Sequence, residues 1–203
     1  MSESGLRERK KRRMYRTVSD IAIRMFLERG FDAVSVAEVA AAAEISKPTL
    51  FRYFPAKEDL VLYRIADHEE EPARVVREGP TPLEALRRHF LEGLERRDPV
   101  TGLNDDPEVL AFHTLLYGTP SLVARLYGQL ERTEEALAEA LGGGLDARLA
   151  AGQVVAVRRV LAQENWRRIV AGERLDDVRE DAVAAAERAF DVLAGALPDS
   201  VTQ

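Results

Sequence analysis

Apolar residues recur along this chain at intervals of three and four, and nowhere do they alternate with polar ones over a useful length. The pattern therefore predicts helices throughout and no sheet. Val18, Ile21, Ala22, Met25 and Phe26 fall at i, i+3, i+4, i+7 and i+8 and define a first amphipathic helix. Gly30 suits a left-handed cap at its end, with Phe31 folding back on the last turn. Ser35 and Glu38 stand in the S-x-x-E relation of a capping box, so a short second helix begins at Val36 and sets Val39, Ala40 and Ala43 on one face. Ile45 can plug the gap before the next helix, Ser46 can cap it, and Pro48 is tolerated in its first turn, where a missing N–H costs nothing. Leu50 and Phe54 point inward. Lys47, Thr49, Phe51, Arg52 and Tyr53 are left outside, and that mixture of cations, a hydroxyl and aromatic rings suits the edges and methyl groups of a DNA major groove.

Beyond Pro55, Glu58 and Asp59 complement the dipole of a fourth helix, which carries Leu60, Val61, Tyr63 and Ile65 toward His68 and bridges two domains. Glu69-Glu70-Glu71-Pro72 reads as its fraying end, with helical character resuming from Ala73 to Glu78 before Gly79-Pro80. Thr81-Pro82-Leu83-Glu84 combines a capping box with proline at the first position, opening a fifth helix whose inward face is Leu83, Leu86, Phe90 and Leu94. Asp106-Pro107 opens a sixth helix that Gly118 closes. Thr119-Pro120 opens a seventh, running through Leu122, Leu126, Leu130 and Leu137 to Gly142-Gly143-Gly144. The last two helices, roughly Asp146 to Ala171 and Asp176 to Ala196, each carry two apolar stripes. One pair comprises Val154, Val157 and Leu161 with Val178, Ala182, Ala185, Ala189 and Leu193; the other comprises Val155, Ala162, Trp166 and Ile169 with Val183, Phe190 and Leu197. Either both stripes are sandwiched inside one chain, or one packs inward and the other meets a second copy in a four-helix dimer interface. The fold class is all-α, with about nine helices.

The run I-S-K-P-T-L-F-R-Y-F-P-A-K-E-D-L resembles the recognition helix and following turn of the TetR family of transcriptional regulators, and the resemblance is dense from Val18 to Leu62. It implies a three-helix DNA-binding domain, residues 1–55, and a larger helical effector-binding and dimerisation domain, residues 56–203. It also favours the dimer reading of the C-terminal stripes. Double-stranded DNA, a second copy of the chain and a small-molecule effector are the implied partners. Family-like DNA contacts fall on Lys47, Pro48, Thr49, Phe51, Arg52, Tyr53 and the phosphate-gripping Lys57, with the caps Ser35 and Ser46 beside them. Three positions depart from the family pattern. Glu44 occupies a turn position usually held by glycine, a strain of roughly 1 kcal/mol if the left-handed conformation is kept. Ala56 replaces the usual Ser or Asn cap of the fourth helix, a loss of about 1 kcal/mol. Ala37 and Glu38 sit where many members carry a basic or polar DNA contact.

Charge sharpens the picture. The 203 residues carry a formal net charge of −6, yet the stretch up to Ala66 holds 13 Lys/Arg against 9 Asp/Glu while the remainder holds 16 against 26. A basic head suits polyanionic DNA and an acidic body keeps to solvent. Arg7, Arg9, Lys10, Lys11, Arg12, Arg13 and Arg16 form a positive arm ahead of the first helix, with Arg12, Arg13 and Arg16 placed to grip phosphates or enter the minor groove; a solubilising tail is the alternative.

Other chemistry finds little support. There is no cysteine, which removes disulfides, thiolate catalysis and cysteine-ligated zinc. His68, His89 and His113 lack metal-ligand spacing, and the triple glycine has neither a preceding strand nor a G-K-[ST]. No catalytic residue, metal site or cofactor is assigned, and an enzyme with an unfamiliar site is the remote alternative. The charged N-terminus and the lack of a long apolar run point to a cytoplasmic protein with no membrane partner. The expected function is a ligand-responsive repressor that binds an inverted repeat as a homodimer. An activator, or a helix-turn-helix used for protein contact, is the alternative. Tyr63, Phe90, Leu94, Phe112, His113, Leu116, Tyr117, Leu126, Tyr127 and Trp166 are the candidate lining of a pocket for a largely apolar effector between the fourth and eighth helices, with His89 or His113 as polar handle.

Overall fold

The computed structural model describes residues 3–66, 68–79 and 81–197, with the side chains of residues 3–8 and 10 outside that set. Among the described residues there are ten α-helices and no strand: α1 (Glu3–Arg29), α2 (Val36–Ala42), α3 (Lys47–Tyr53), α4 (Asp59–Ala66), α5 (Glu71–Glu78), α6 (Pro82–Glu95), α7 (Pro107–Gly118), α8 (Pro120–Ala140), α9 (Gly144–Val170) and α10 (Leu175–Ala196). A 3-10 turn, Pro99–Thr101, lies between α6 and α7. The helix beyond the nine expected is α5. Pro72 stands in its first turn, where no intrahelical N–H is lost, and Ala73 and Val76 give it a buried face. A second difference lies at the N-terminus, where the basic segment is part of α1 and not an arm ahead of it. Ser2 and the side chains of Arg7 and Lys10 lie outside the described residues.

The chain packs as two compact units. The first comprises Met1–Asp67 and Ala111–Leu126, the second His68–Leu110 and Tyr127–Gln203. In the first, α1 lies against α4 and α2, and Val18, Ala22, Ile23 and Phe26 of α1 are buried with Leu50, Phe54, Leu60 and Val61. The buried Ser19 hydroxyl donates to the Leu60 carbonyl at 2.7 Å, tying α1 to α4 while satisfying a carbonyl near the start of that helix. Gly30 takes φ +90°, and the Phe31 ring returns to within 4.9 Å of Phe26, as the cap predicts. Ala56 lacks a capping side chain, but its backbone N–H donates to Asp59 Oδ2 at 2.9 Å. Arg125 grips that same carboxylate with two bonds, at 2.9 and 3.1 Å, so the missing cap is replaced by an acid three residues into the turn.

The second unit is built on α6, α9 and α10. Leu83, Leu86, Phe90 and Leu94 are all buried, and the Phe90 and Phe190 rings lie 6.4 Å apart. Thr81 is the N-cap of α6 but makes no side-chain capping bond, so the expected capping box is not formed; proline at the first position does the ordering alone. Gly142, Gly143 and Gly144 all have positive φ, and the Gly143 N–H donates to the Ala138 carbonyl at 2.9 Å. That is the helix break, built from residues without the Cβ that forbids such a backbone. The 3-10 turn docks on α9: Asp98 Oδ1 accepts from the Val100 N–H at 3.1 Å, and Asn165 Nδ2 donates to the Thr101 carbonyl at 2.9 Å.

The C-terminal stripes require a correction. Val154, Val178, Ala182 and Leu193 are buried within this single chain, so four of the eight residues expected at a dimer interface are already occupied by the unit's own core. Val157, Leu161, Ala185 and Ala189 are half-buried at its margin. The apolar residues that α9 and α10 leave to solvent are instead Leu145, Leu149, Val160, Val170 and Val192. Helical periodicity marks an apolar face without stating what covers it.

Candidate nucleic-acid interface

The helix-turn-helix follows from local capping chemistry. The Ser35 hydroxyl accepts from the Glu38 N–H at 3.2 Å while Glu38 Oε2 accepts from the Ser35 N–H at 2.8 Å, and Arg29 Nη2 reaches Glu38 Oε1 at 2.7 Å. The Ser35 backbone N–H, then the Arg29 guanidinium, holds the Glu38 carboxyl down at about 2. Its charge is thus committed within the protein.

At the other end of α2, the Ile45 N–H donates to Ala40 O at 3.0 Å and the Glu44 N–H to Ala41 O at 3.1 Å, the pairing of a Schellman motif. Glu44 adopts φ 55°, the left-handed conformation expected to be strained there. The Ser46 hydroxyl then accepts from the Thr49 N–H at 3.2 Å and lies 2.7 Å from the Thr49 hydroxyl.

These caps aim α3. Leu50 and Phe54 are buried, whereas Lys47, Pro48, Phe51 and Arg52 are exposed. Lys47 Nζ lies 5.8 Å from the Phe51 ring centroid and the Arg52 guanidinium 5.1 Å from that of Tyr53, so each cation is steadied by a ring while keeping its donors outward. Arg52 also donates to the Tyr53 hydroxyl at 3.2 Å. Tyr53 is half-buried, its ring 5.1 Å from Tyr15, and Thr49 is half-buried with its hydroxyl against Ser46. The outward face is narrower than the sequence implies: Lys47, Phe51 and Arg52 carry it.

Lys57 differs more. Its Nζ donates to the Phe31 carbonyl and lies 4.3 Å from the Phe31 ring centroid, so the side chain expected to grip phosphate is turned inward onto the loop after α1. Along α1, Arg9, Lys11, Arg12, Arg13 and Arg16 are exposed.

Tyr15 is the residue that pattern reading missed. It stacks on Tyr63 at 5.1 Å and meets Tyr53 and Phe54 edge-on, both at 5.1 Å. An aromatic ring amid six flanking basic residues was the available signal. Tyr63, expected to line an effector pocket, is instead part of this cluster beneath α3.

The remaining effector candidates divide between the two units. Phe112, His113, Leu116, Tyr117 and Leu126 belong to the first; Phe90, Leu94, Tyr127 and Trp166 belong to the second. Phe90 and Leu94 are core residues. Tyr127 is exposed, under the Arg159 guanidinium at 5.5 Å, and borders a cavity of about 370 Å³ with Leu130, Glu131, Glu134, Val155 and Arg159. None of the other expected lining residues borders that cavity. His113 is buried, with its ring 5.7 Å from Phe112 and 6.0 Å from Tyr117. Desolvation first, then the positive Arg64, pushes its pKa down from 6.5 to about 4.

A buried neutral histidine makes stability depend on pH. Above 6.5 neither state binds the proton; below it the unfolded chain does so first, so stability is lost as pH falls from 6.5 to about 4, by up to about 3 kcal/mol. His113→Leu should remove this share. Urea unfolding of both proteins across that window checks it, and parallel pH profiles would rule it out.

A capped helix, a tight left-handed turn and a second helix presenting lysine, arginine and an aromatic ring have the form of a helix-turn-helix motif. Residues 19–63 match the model of bacterial regulatory proteins of the tetR family. The regulator TcmR of Streptomyces glaucescens is 34% identical over 138 residues, 66% of this chain and 61% of TcmR. This chain therefore spans about three-fifths of the length of the curated relatives it matches. In fold it is similar to NalD, the secondary repressor of the MexAB-OprM multidrug efflux pump in Pseudomonas aeruginosa. The TM-score is 0.59 at 18% identity over 89% of this chain and 96% of NalD. It is also similar to FadR of Bacillus subtilis in complex with stearoyl-CoA, with a TM-score of 0.52 at 19% identity over 88% of this chain and 97% of FadR. The resemblance to the tetR family of bacterial regulatory proteins is thus shown for residues 19–63 of this chain. Its relatives are transcriptional regulators, a non-enzymatic role.

Proposed function

We propose that this chain is a ligand-responsive repressor that binds an inverted-repeat operator as a homodimer and is released by a small effector with a substantial apolar part. The observation that carries the reading is the outward face of α3, where Lys47, Phe51 and Arg52 stand exposed on a helix whose other side is buried. DNA binding is assigned to residues 1–55, effector binding and dimerisation to residues 56–203. The solvent-facing apolar residues Val160 and Val192, with the half-buried Ala185 and Ala189, are the surface on which a second copy would pack. Repression is favoured by the likeness to NalD, and a small effector by the stearoyl-CoA bound to FadR. No described helix is long and apolar enough to cross a membrane, in keeping with action in the cytoplasm.

Base reading and phosphate gripping separate by substitution. Lys47→Ala or Arg52→Ala should weaken operator binding by about 1–3 kcal/mol and relax sequence preference. Arg13→Gln and Arg16→Gln on α1 should weaken every duplex alike and flatten the salt dependence. Titration of operator and random duplex at several salt concentrations distinguishes them. Equal losses on both duplexes for the α3 variants would refute base reading, and a protein that sediments as a monomer while binding one half-site would refute the dimer.

A further inference from the structure

Between α8 and α9 lies the cavity of about 370 Å³ that Tyr127 borders, a volume in the range that small-molecule sites occupy. All its lining residues belong to the second unit. Tyr127, Glu131 and Glu134 stand on it at i, i+4 and i+7 and so share one face of α8, while Ala156 and Arg159 come from α9. The tyrosine is 51% exposed, which leaves the space open to solvent at its end.

Glycine makes the room. Gly128 borders the cavity inside the 21-residue α8, where glycine is about 1 kcal/mol less favourable than alanine. No close neighbour requires it, since a Cβ there would meet nothing within 4 Å. What the glycine leaves is space. On α9, a Cβ at Gly152 would lie 3.8 Å from Glu134 Oε2, so the Glu134 carboxylate rests on the neighbouring helix at the edge of the cavity.

The charges around this space are unequally engaged. Arg159 is committed within the protein: its guanidinium lies 5.5 Å from the Tyr127 ring centroid, and its Nη1 donates to Gln163 Oε1 at 3.2 Å. Glu131 and Glu134 make no ion pair and no hydrogen bond among the described residues. Glu131 is exposed and Glu134 half-buried, so the two acids stand at different depths along one wall. Leu130 and Ala156 supply apolar surface beside them.

We propose that this cavity binds a small organic cation, an ammonium on an apolar body, and that it is the effector site of the chain. The ammonium donates to the Glu131 and Glu134 carboxylates, and the body lies along Leu130 and Ala156. An anion would have to draw Arg159 from Gln163 while facing both acids. The effector role rests on the proposed function; the binding site stands or falls separately.

Octylammonium is the probe, titrated calorimetrically into the full chain beside octanol and octanoate, which keep the apolar body and remove or reverse the charge. Octylammonium should bind, and the other two should bind more weakly by roughly tenfold or more. Glu134→Gln should weaken octylammonium by roughly tenfold to a hundredfold, the span of a charge-assisted bond. Glu135→Gln removes the same charge from outside the cavity and should leave binding unchanged. Gly128→Leu fills the space with a good helix former and should abolish binding. Octanol or octanoate binding as well as octylammonium, equal losses for Glu134→Gln and Glu135→Gln, undiminished binding in Gly128→Leu, or no binding to the unsubstituted chain would each overturn the site. If Gly128→Leu fails to fold, the contrast between Glu134→Gln and Glu135→Gln decides. DNA retention is read apart: octylammonium bound in the cavity with no loss of operator would keep the site and overturn its effector role, and failure of the unsubstituted chain to bind any duplex would overturn the proposed function alone.

Discussion

Replacing Phe54 with alanine is expected to cost the first unit about 3–5 kcal/mol. Phe54 ends α3, is almost wholly buried, and lies edge-on to Tyr15 at 5.1 Å and to Tyr63 at 5.9 Å. It thereby joins the recognition helix to α1 and α4 at once, and its removal leaves a cavity under the face that carries Lys47 and Arg52. The only tryptophan, Trp166, belongs to the second unit. Its fluorescence follows that unit while far-UV circular dichroism follows both. In urea, the dichroism of Phe54→Ala should begin to fall well before the fluorescence changes, with operator binding lost alongside it. A dichroism curve that coincides with that of the unsubstituted protein would show that Phe54 does not seat α3.

Gly102→Ala should disturb the second unit by about 2–5 kcal/mol. Gly102 has φ +72°, and a Cβ there would come to 1.9 Å from the Ala162 carbonyl oxygen and 3.1 Å from the Trp166 backbone nitrogen. These are backbone atoms of a long helix and cannot swing aside, so the 3-10 turn must lift from α9 and surrender the Asn165–Thr101 bond. Trp166 sits at the point of collision, and its emission and urea midpoint read the change directly. A midpoint matching that of the parent chain would mean that the turn does not lie on α9 as described.

The local parts of this architecture were legible because their causes are local. The cap pair Ser35 and Glu38, the left-handed Glu44 and the Ser46 cap each act within five residues, so a string of letters carries them whole. The inward stripe of α6 was legible for the same reason. What escaped depends on distant partners. Lys57 has the composition of a phosphate contact, but it turns to Phe31, 26 residues away. Asp59 accepts the Ala56 N–H from three residues away, but the guanidinium that grips its carboxylate, Arg125, lies 66 residues on. The stripes of α9 and α10 showed two apolar faces, but four of the eight residues expected to meet a partner are buried in the unit's own core, because α10 packs on both α6 and α9.

The first unit is assembled from two separated stretches, Met1–Asp67 and Ala111–Leu126, and this constrains how such a regulator can be recombined. A DNA-reading head transplanted from this chain by cutting at residue 67 would leave behind Arg125, which clamps the carboxylate that caps Ala56. Phe112, whose ring lies 5.5 Å from the Arg64 guanidinium, would stay behind with it. The donor head would arrive without its socket, and the recipient would keep a socket shaped for another head. A working chimera must move residues 111–126 together with the N-terminal segment, so the heritable module of DNA recognition here is not a contiguous piece of gene.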